Sequence, residues 1–290
     1  MNSFQEKILA GKKVITAELT PPRGSGIKKF LCTAAELSQH VDAINITDNQ
    51  RAVMRMSSVA ASAILAGQNI NPICQIVCRD RNSLALQSDL IGAAALGIKN
   101  ILALTGDPVQ GGDNPNAKKV FEFESVKLLS MLSLLNQGYG WNKKKLNCKT
   151  DFFLGATVNP TSANIDVQLR RMEQKIEAGA KFFQTQSVFD IGLMEKFIKK
   201  VESFKVPIIA GIIMMKSSGT ASFLHERVLG IRVPEGILHT MNNAKDPEET
   251  GVHIAASLTQ ELFSLCHGVH LMAPRREHRI QNILQIANIR

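Results

Sequence analysis

The sequence predicts a single α/β domain over residues 1–290, a closed (βα)8 barrel of the TIM type. Three observations point there. Apolar runs of strand length, each ended by polar or turn residues, recur eight times along the chain. A stretch with helical spacing follows each run, and strict strand–helix alternation implies parallel strands with right-handed crossovers. The length of 290 residues suits eight such units, since ~250 residues is typical of the closed form. An open doubly wound sheet is the alternative. It usually carries a glycine-rich phosphate turn after its first strand. This chain has Thr20-Pro21-Pro22-Arg23 there, and no such motif occurs elsewhere in it.

Each element has its own justification. The first strand, 14–19, alternates toward Glu18 and is broken by Pro21 and Pro22, because a proline removes a ladder donor. The second and third are 42–48 and 72–78. The fourth, 101–107, is the clearest, an unbroken apolar run that stops at Gly106 and Asp107 before Pro108 and a loop rich in Gly, Asn and Asp. A run of that kind reads as a strand buried on both faces. The remaining strands are 152–159, 182–188, 207–214 and 268–273. Helical spacing covers 27–40, 56–68, 83–97, 121–137, 163–179, 191–204, 222–265 in pieces, and 277–288.

Composition narrows the function classes. An apolar content of 44% with 20% charged residues is that of an ordinary globular domain. No apolar run approaches the ~20 residues that span a bilayer, and the N-terminus lacks the apolar segment of a signal peptide. Five cysteines at irregular spacing form no disulfide framework, so a cytoplasmic location is expected. Cys74 and Cys78 share a face of one strand and read as small core residues. Cys266-His267-x-x-His270 straddles the junction into the last strand, where its side chains would point apart, so no metal site is expected. The net charge of +9 comes from scattered basic residues, with Lys143-Lys144-Lys145 the one tight triplet. Aromatics at 5% are too few for base-stacking platforms. The charge therefore reads as a solvated surface that attracts anionic small molecules or an acidic partner, rather than as a nucleic-acid module.

Chemistry in such a barrel gathers where strands end and the βα loops begin. The polar residues at those ends are Glu18 and Thr20, then Asn45, Thr47, Asp48 and Asn49, then Gln75, Arg79 and Asp80. Further along come Thr105 and Asp107, Thr157 and Asn159, Gln184 and Gln186, Lys216 and Ser218, and Arg275 with Arg276. Glu18 shares a face with Thr16 and Thr20. If that face points inward, desolvation raises its pKa and suits it to general acid work. The alternative is a structural carboxylate paired with a barrel arginine. Asp107 borders an open polar loop, which favours the ionised form; the alternative role is turn capping. Environments that push two carboxyls apart give them separate roles. Gln184 and Gln186 lie two apart, and a glutamine amide offers both a donor and an acceptor to a flat heterocycle.

Four segments then occur in a telling order: Ala17-Glu18-Leu19-Thr20-Pro21-Pro22, Leu104-Thr105-Gly106-Asp107, Ala178-Gly179-Ala180, and Thr185-Gln186 with Phe189-Asp190. They resemble the methylenetetrahydrofolate reductases, flavin-dependent (βα)8 enzymes, and the similarity runs from about residue 12 to 290. Cys78-Arg79-Asp80-Arg81-Asn82 with Leu84-Ala85-Leu86-Gln87-Ser88-Asp89 is most similar to the branch of acetogens and related anaerobes. The resemblance implies reduction of 5,10-methylenetetrahydrofolate to 5-methyltetrahydrofolate, or the reverse. Glu18 matches the general acid that opens the folate ring. Asp107 matches the acid that tunes the flavin and stabilises the iminium. Gln186, with Gln184 beside it, matches the pterin-binding position. The flavin would contact Thr47, Gln75, Thr105, Gly106, Asp107, Asn159 and Lys175, with FAD expected ahead of FMN.

The chain also departs from the family pattern. Gln75 and Asn159 stand where histidines are common, and Gln174 stands where a basic residue is common. Lys216-Ser217-Ser218-Gly219 replaces an expected aromatic over the flavin. The resemblance therefore leaves direct use of NAD(P)H open and implies an oligomer with an electron-donating iron–sulfur or zinc-bearing partner subunit. The competing reading is a folate-binding methyltransferase or demethylase subunit that works without redox chemistry.

Overall fold

A computed structural model describes residues 4–228 and 230–289. Eight parallel strands close into a barrel in chain order. They are β1 (Val14–Leu19), β2 (Ala43–Ile46), β3 (Pro72–Val77), β4 (Asn100–Leu104), β5 (Phe153–Val158), β6 (Phe182–Ser187), β7 (Ile208–Ile213) and β8 (Gly268–Met272). Closure is made by β1 against β8, with Thr16 opposite His270. The open-sheet alternative is thereby excluded.

The helices are α1 (Phe4–Leu9), α2 (Lys28–Ser38), α3 (Ser58–Ala66), α4 (Ser83–Ala95), α5 (Ser125–Gln137), α6 (Ile165–Glu177), α7 (Ile191–Val201), α8 (Ser218–Arg227), α9 (Glu235–Asn242), α10 (Pro247–Leu265) and α11 (Ile280–Ile286). Several start where a side chain caps a free backbone N–H. Asn82 accepts from Ala85, Asp190 from Leu193, Ser217 from Thr220 and Asp246 from Glu249, each satisfying an orphan donor of the first turn.

Strand alternation divides the core in two. On β1, Ile15, Ala17 and Leu19 face outward into the large apolar layer shared with the helices. Val14 faces inward and joins Ala43, Ile73, Leu102, Phe153, Phe182 and Ile209 at the lower end of the barrel interior. Helix α1, which no periodicity announced, closes that end with Phe4 and Ile8. The Phe4 ring meets Phe182 edge-on at 5.2 Å, and Phe153 stacks on Phe182 at 5.3 Å. Gly155 is what admits Phe182, because a Cβ there would fall 2.2 Å from its ring. Cys74 and Cys78 are buried on the outer side, as core residues; Cys78 lies just beyond the end of β3. No helix among the described residues is long and apolar enough to cross a membrane.

Candidate active site

Above the phenylalanine layer the barrel interior turns polar. Two residues beyond Val14, the Thr16 hydroxyl lies 2.9 Å from His270 Nδ1. Asn45 Nδ2 donates to Gln184 Oε1 at 2.7 Å, and Gln184 Nε2 donates back to Asn45 Oδ1 at 3.2 Å and to Thr16 Oγ1 at 3.4 Å. All four side chains are buried. Burial without a charged partner drives His270 down to about 3, so the ring is neutral. A buried polar layer of this kind is tolerated because its members satisfy each other.

This layer is the floor of a cavity of about 530 Å³ at the carboxyl ends of the strands. The cavity brings together nearly every residue singled out from the sequence: Glu18, Gln75, Thr105, Gly106, Asp107, Asn159, Lys175, Gln184 and Gln186 all line it. Thr47 does not. It is fully buried, and its hydroxyl has no hydrogen-bond partner among the described residues. Gln184 spends its amide on the floor, whereas Gln186 sits within a register shift of β6 against β7 and accepts weakly from the Ser187 N–H at 3.3 Å. The Gln75 side chain is 7% exposed and faces the cavity.

Glu18 is the most perturbed acid. Its side chain is inward, 8% exposed, two residues above Thr16. Burial pushes the carboxyl up to about 7; the Gln50 amide opposes this, and the charge of Glu277 adds to it. Gln50 Nε2 reaches both carboxylate oxygens, at 3.2 and 3.4 Å. The expected alternative partner, a barrel arginine, does not bond it. Asp107 lies on the same cavity but in an exposed loop, where Oδ2 accepts the Arg51 N–H at 2.8 Å. It therefore does hold a turn, as the capping alternative expected, while facing the cavity. Lys175 is buried on α6 and donates to the Thr157 carbonyl at 2.7 Å. Burial lowers it to about 8, Arg171 pushes the same way and Glu124 opposes.

The loops that carry these groups are locked together. The Arg79 side chain, 1% exposed, grips Asp80 through two bonds of 2.7 Å and donates to the carbonyls of Asn49 (3.1 Å) and Asp107 (3.2 Å). Asp48 accepts the Val77 N–H at 2.9 Å and two bonds from Arg81. Gly112 packs on the turn at Ala52 so closely that a Cβ would lie 1.9 Å from the Ala52 carbonyl oxygen. Reasoning from sequence missed Gln50 and Glu277, which sit in irregular loops, and the role of His270. The last had a usable signal, since even spacing along β8 sets it on one face with Met272, which also lines the cavity.

Across Gln50 a second cleft of about 790 Å³ carries Arg23, Lys29, Arg51, Arg55 and Arg275 against Glu277. Burial and then repulsion from Arg23 and Arg275 lower the Arg55 guanidinium. The three members of Cys266-His267-x-x-His270 go to separate places: Cys266 packs into the outer layer, His267 Nδ1 takes the Ile208 N–H at 3.2 Å, and His270 sits in the floor.

Comparison with known proteins fits this geometry. The family model described as methylenetetrahydrofolate reductase matches residues 3–288. A Caenorhabditis elegans protein named probable methylenetetrahydrofolate reductase (NADPH) is 25% identical over 94% of this chain and 42% of its own length. Methylenetetrahydrofolate reductase 2 of Schizosaccharomyces pombe is 23% identical over 97% of this chain and 46% of its own. The chain thus spans less than half the length of these curated relatives. Among solved structures, an uncharacterized Clostridium thermocellum protein that binds two copies of 5-methyl-5,6,7,8-tetrahydrofolic acid superposes with a TM-score of 0.70. It is 19% identical, with 98% of this chain and 97% of that one covered, which establishes a shared fold.

Proposed function

The chain belongs to the methylenetetrahydrofolate reductase family, and on that premise we propose that it reduces 5,10-methylenetetrahydrofolate to 5-methyltetrahydrofolate, or runs the reverse, in the cavity above the polar floor. The observation that carries this reading is a buried carboxyl, Glu18, raised to about 7 in the same cavity as Asp107. Glu18 holds a proton near neutral pH and delivers it to the folate nitrogen whose release opens the five-membered ring. That leaves an iminium cation, and the Asp107 carboxylate offsets its charge. Gln186 supplies amide contacts to the pterin, with Gln184 fixed beneath. The five cations of the neighbouring cleft suit the carboxylates of a folate tail.

The residues present also fit a flavin. The Gln75 amide, which bonds no described residue and faces the cavity, answers the paired donors and acceptors of a flavin ring. Thr105, Gly106, Asp107, Asn159 and Lys175 would hold the rest, whereas Thr47, fully buried and off the cavity lining, would not touch it. When bound, a flavin supplies the hydride chemistry. FAD is preferred over FMN. The segment from Lys216 to Gly219 offers no aromatic over the cavity, which favours electrons from an iron–sulfur or zinc-bearing partner subunit and membership of the acetogen-like branch.

The test is anaerobic purification with native neighbours and cofactor extraction. A yellow protein that bleaches on reduction and then converts methylenetetrahydrofolate supports the proposal. Reduction of the bound flavin by NADH alone within milliseconds defeats the partner requirement. The second reading, a folate-binding methyltransferase or demethylase subunit, draws on the methyltetrahydrofolate ligands of the Clostridium thermocellum neighbour. A colourless protein that binds methyltetrahydrofolate would favour it.

A further inference from the structure

We propose that Gln50 is a positioning residue that ties the Glu18 carboxyl to Asp107 through a single turn. The chain after β2 makes a tight turn over 50–52 in which Arg51 and Ala52 have φ of +57° and +56°, preceded by Asn49 at +45°. Such left-handed values are unfavourable for residues with a Cβ and persist only where surroundings over-determine them. Here the surroundings do so. The Arg51 N–H is held by Asp107, the Asn49 carbonyl by Arg79, and the Arg55 N–H by Asn49 Oδ1 at 2.9 Å. The residue between the two anchors is Gln50. It lines both the catalytic cavity and the basic cleft, and its amide spans both oxygens of Glu18.

The consequence follows from hydrogen-bond chemistry. A donor on a carboxylate favours the ionised form, so Gln50 holds Glu18 oriented while restraining its hold on a proton. Of the charged groups, Glu277 after β8 acts on Glu18; His270, Asp48, Asp107, Arg171 and Lys175 line the same cavity, and Arg51 and Arg275 line the basic cleft across Gln50. None of them replaces the Gln50 bond.

The inference rests on Glu18 being the acid of the proposed reaction, and its test also reads Glu18 without turnover. Glutamate labelled with carbon-13 at the carboxyl is incorporated, and the Glu18 signal is identified by its loss in Glu18→Gln. Gln50 is exposed, so Gln50→Ala is expected to fold. It should move the Glu18 titration up by about one unit and carry the alkaline limb of the activity profile up with it. An unchanged midpoint overturns the proposal. The tie to Asp107 is read separately. Asp107→Asn keeps an acceptor for the Arg51 N–H, and Asp107→Ala does not. The Ala variant should titrate higher than the Asn variant when Gln50 is present, and the gap should vanish in Gln50→Ala. The same gap in both backgrounds overturns the tie. If the labelled carboxyl moves as stated but no variant turns over folate, the proposed reaction fails and the positioning role stands.

Discussion

The two halves of the barrel interior are built from the same eight strands, yet they differ completely. The lower half is a phenylalanine-rich plug of Val14, Ala43, Ile73, Leu102, Phe153, Phe182 and Ile209, closed by Phe4 and Ile8. One step up the inward faces of β1, β2, β6 and β8 sit Thr16, Asn45, Gln184 and His270, and Glu18 lies a further step up β1. Because inward residues recur every second position, a two-residue advance along a strand moves from stability to chemistry. The lower layer is held by burial, and its loss is a packing loss. The upper layer is held by mutual hydrogen bonding around groups that are costly to bury, and its loss is first a loss of function.

Substitutions in the two layers should separate stability from turnover. The largest effect is expected from Glu18→Gln. Folate turnover should fall ~100- to 10,000-fold, the usual contribution of a positioned acid, while flavin binding and flavin reduction persist in stopped-flow traces. The same change should alter stability in the opposite direction. A carboxyl raised from 4.5 to about 7 binds more protons folded than unfolded, so stability falls as pH rises from about 4.5 through 7. Removing it should therefore stabilise the protein at pH 8 by roughly 3 kcal/mol, with no gain below pH 4, read by denaturant melts at both pH values. A Glu18→Gln variant equally destabilised at both would contradict the buried-acid account.

Phe182→Ala, one layer down, should do the reverse. It should cost about 3–5 kcal/mol of stability and leave the pH profile of residual turnover where it was. Asn45→Ala should be intermediate, leaving the Gln184 amide half-satisfied at about 1–3 kcal/mol, measured by urea unfolding. The smallest effect is expected at Arg23, whose pair with Asp113 is exposed at 3.0 Å. Arg23→Ala should change stability by less than about 1 kcal/mol, and any loss should appear in folate affinity and its salt dependence.

Most of the frame was legible because it follows from periodicity. Seven of the eight strands fall inside the runs read from sequence, β1 matches residue for residue, and β4 begins one residue early, at Asn100. The edges differ for local reasons. The run 42–48 ends as strand at Ile46, because the Asp48 carboxylate takes the Val77 N–H and Arg81 instead of continuing a ladder. The run 101–107 ends at Leu104, because Gly106 turns with φ +99° and the Asp107 carboxylate is drawn to the Arg51 N–H. The helix read from 121 begins at Ser125, after Phe121 adopts φ +42°. Six residues of α1 are too few for a helical pattern to register. The cavity walls were legible where they sit on strand ends. Gln50 and Glu277 were not, because loop residues carry no period, and only three-dimensional closure brings them to Glu18.

Whether Glu18 delivers the proton that opens the folate ring can be read in a single measurement. In a single-turnover reaction with pre-reduced flavin and methylenetetrahydrofolate, the rate should decline as pH rises through about 7, and Glu18→Gln should be slow at every pH. A pH-independent wild-type rate matched by the variant would contradict it.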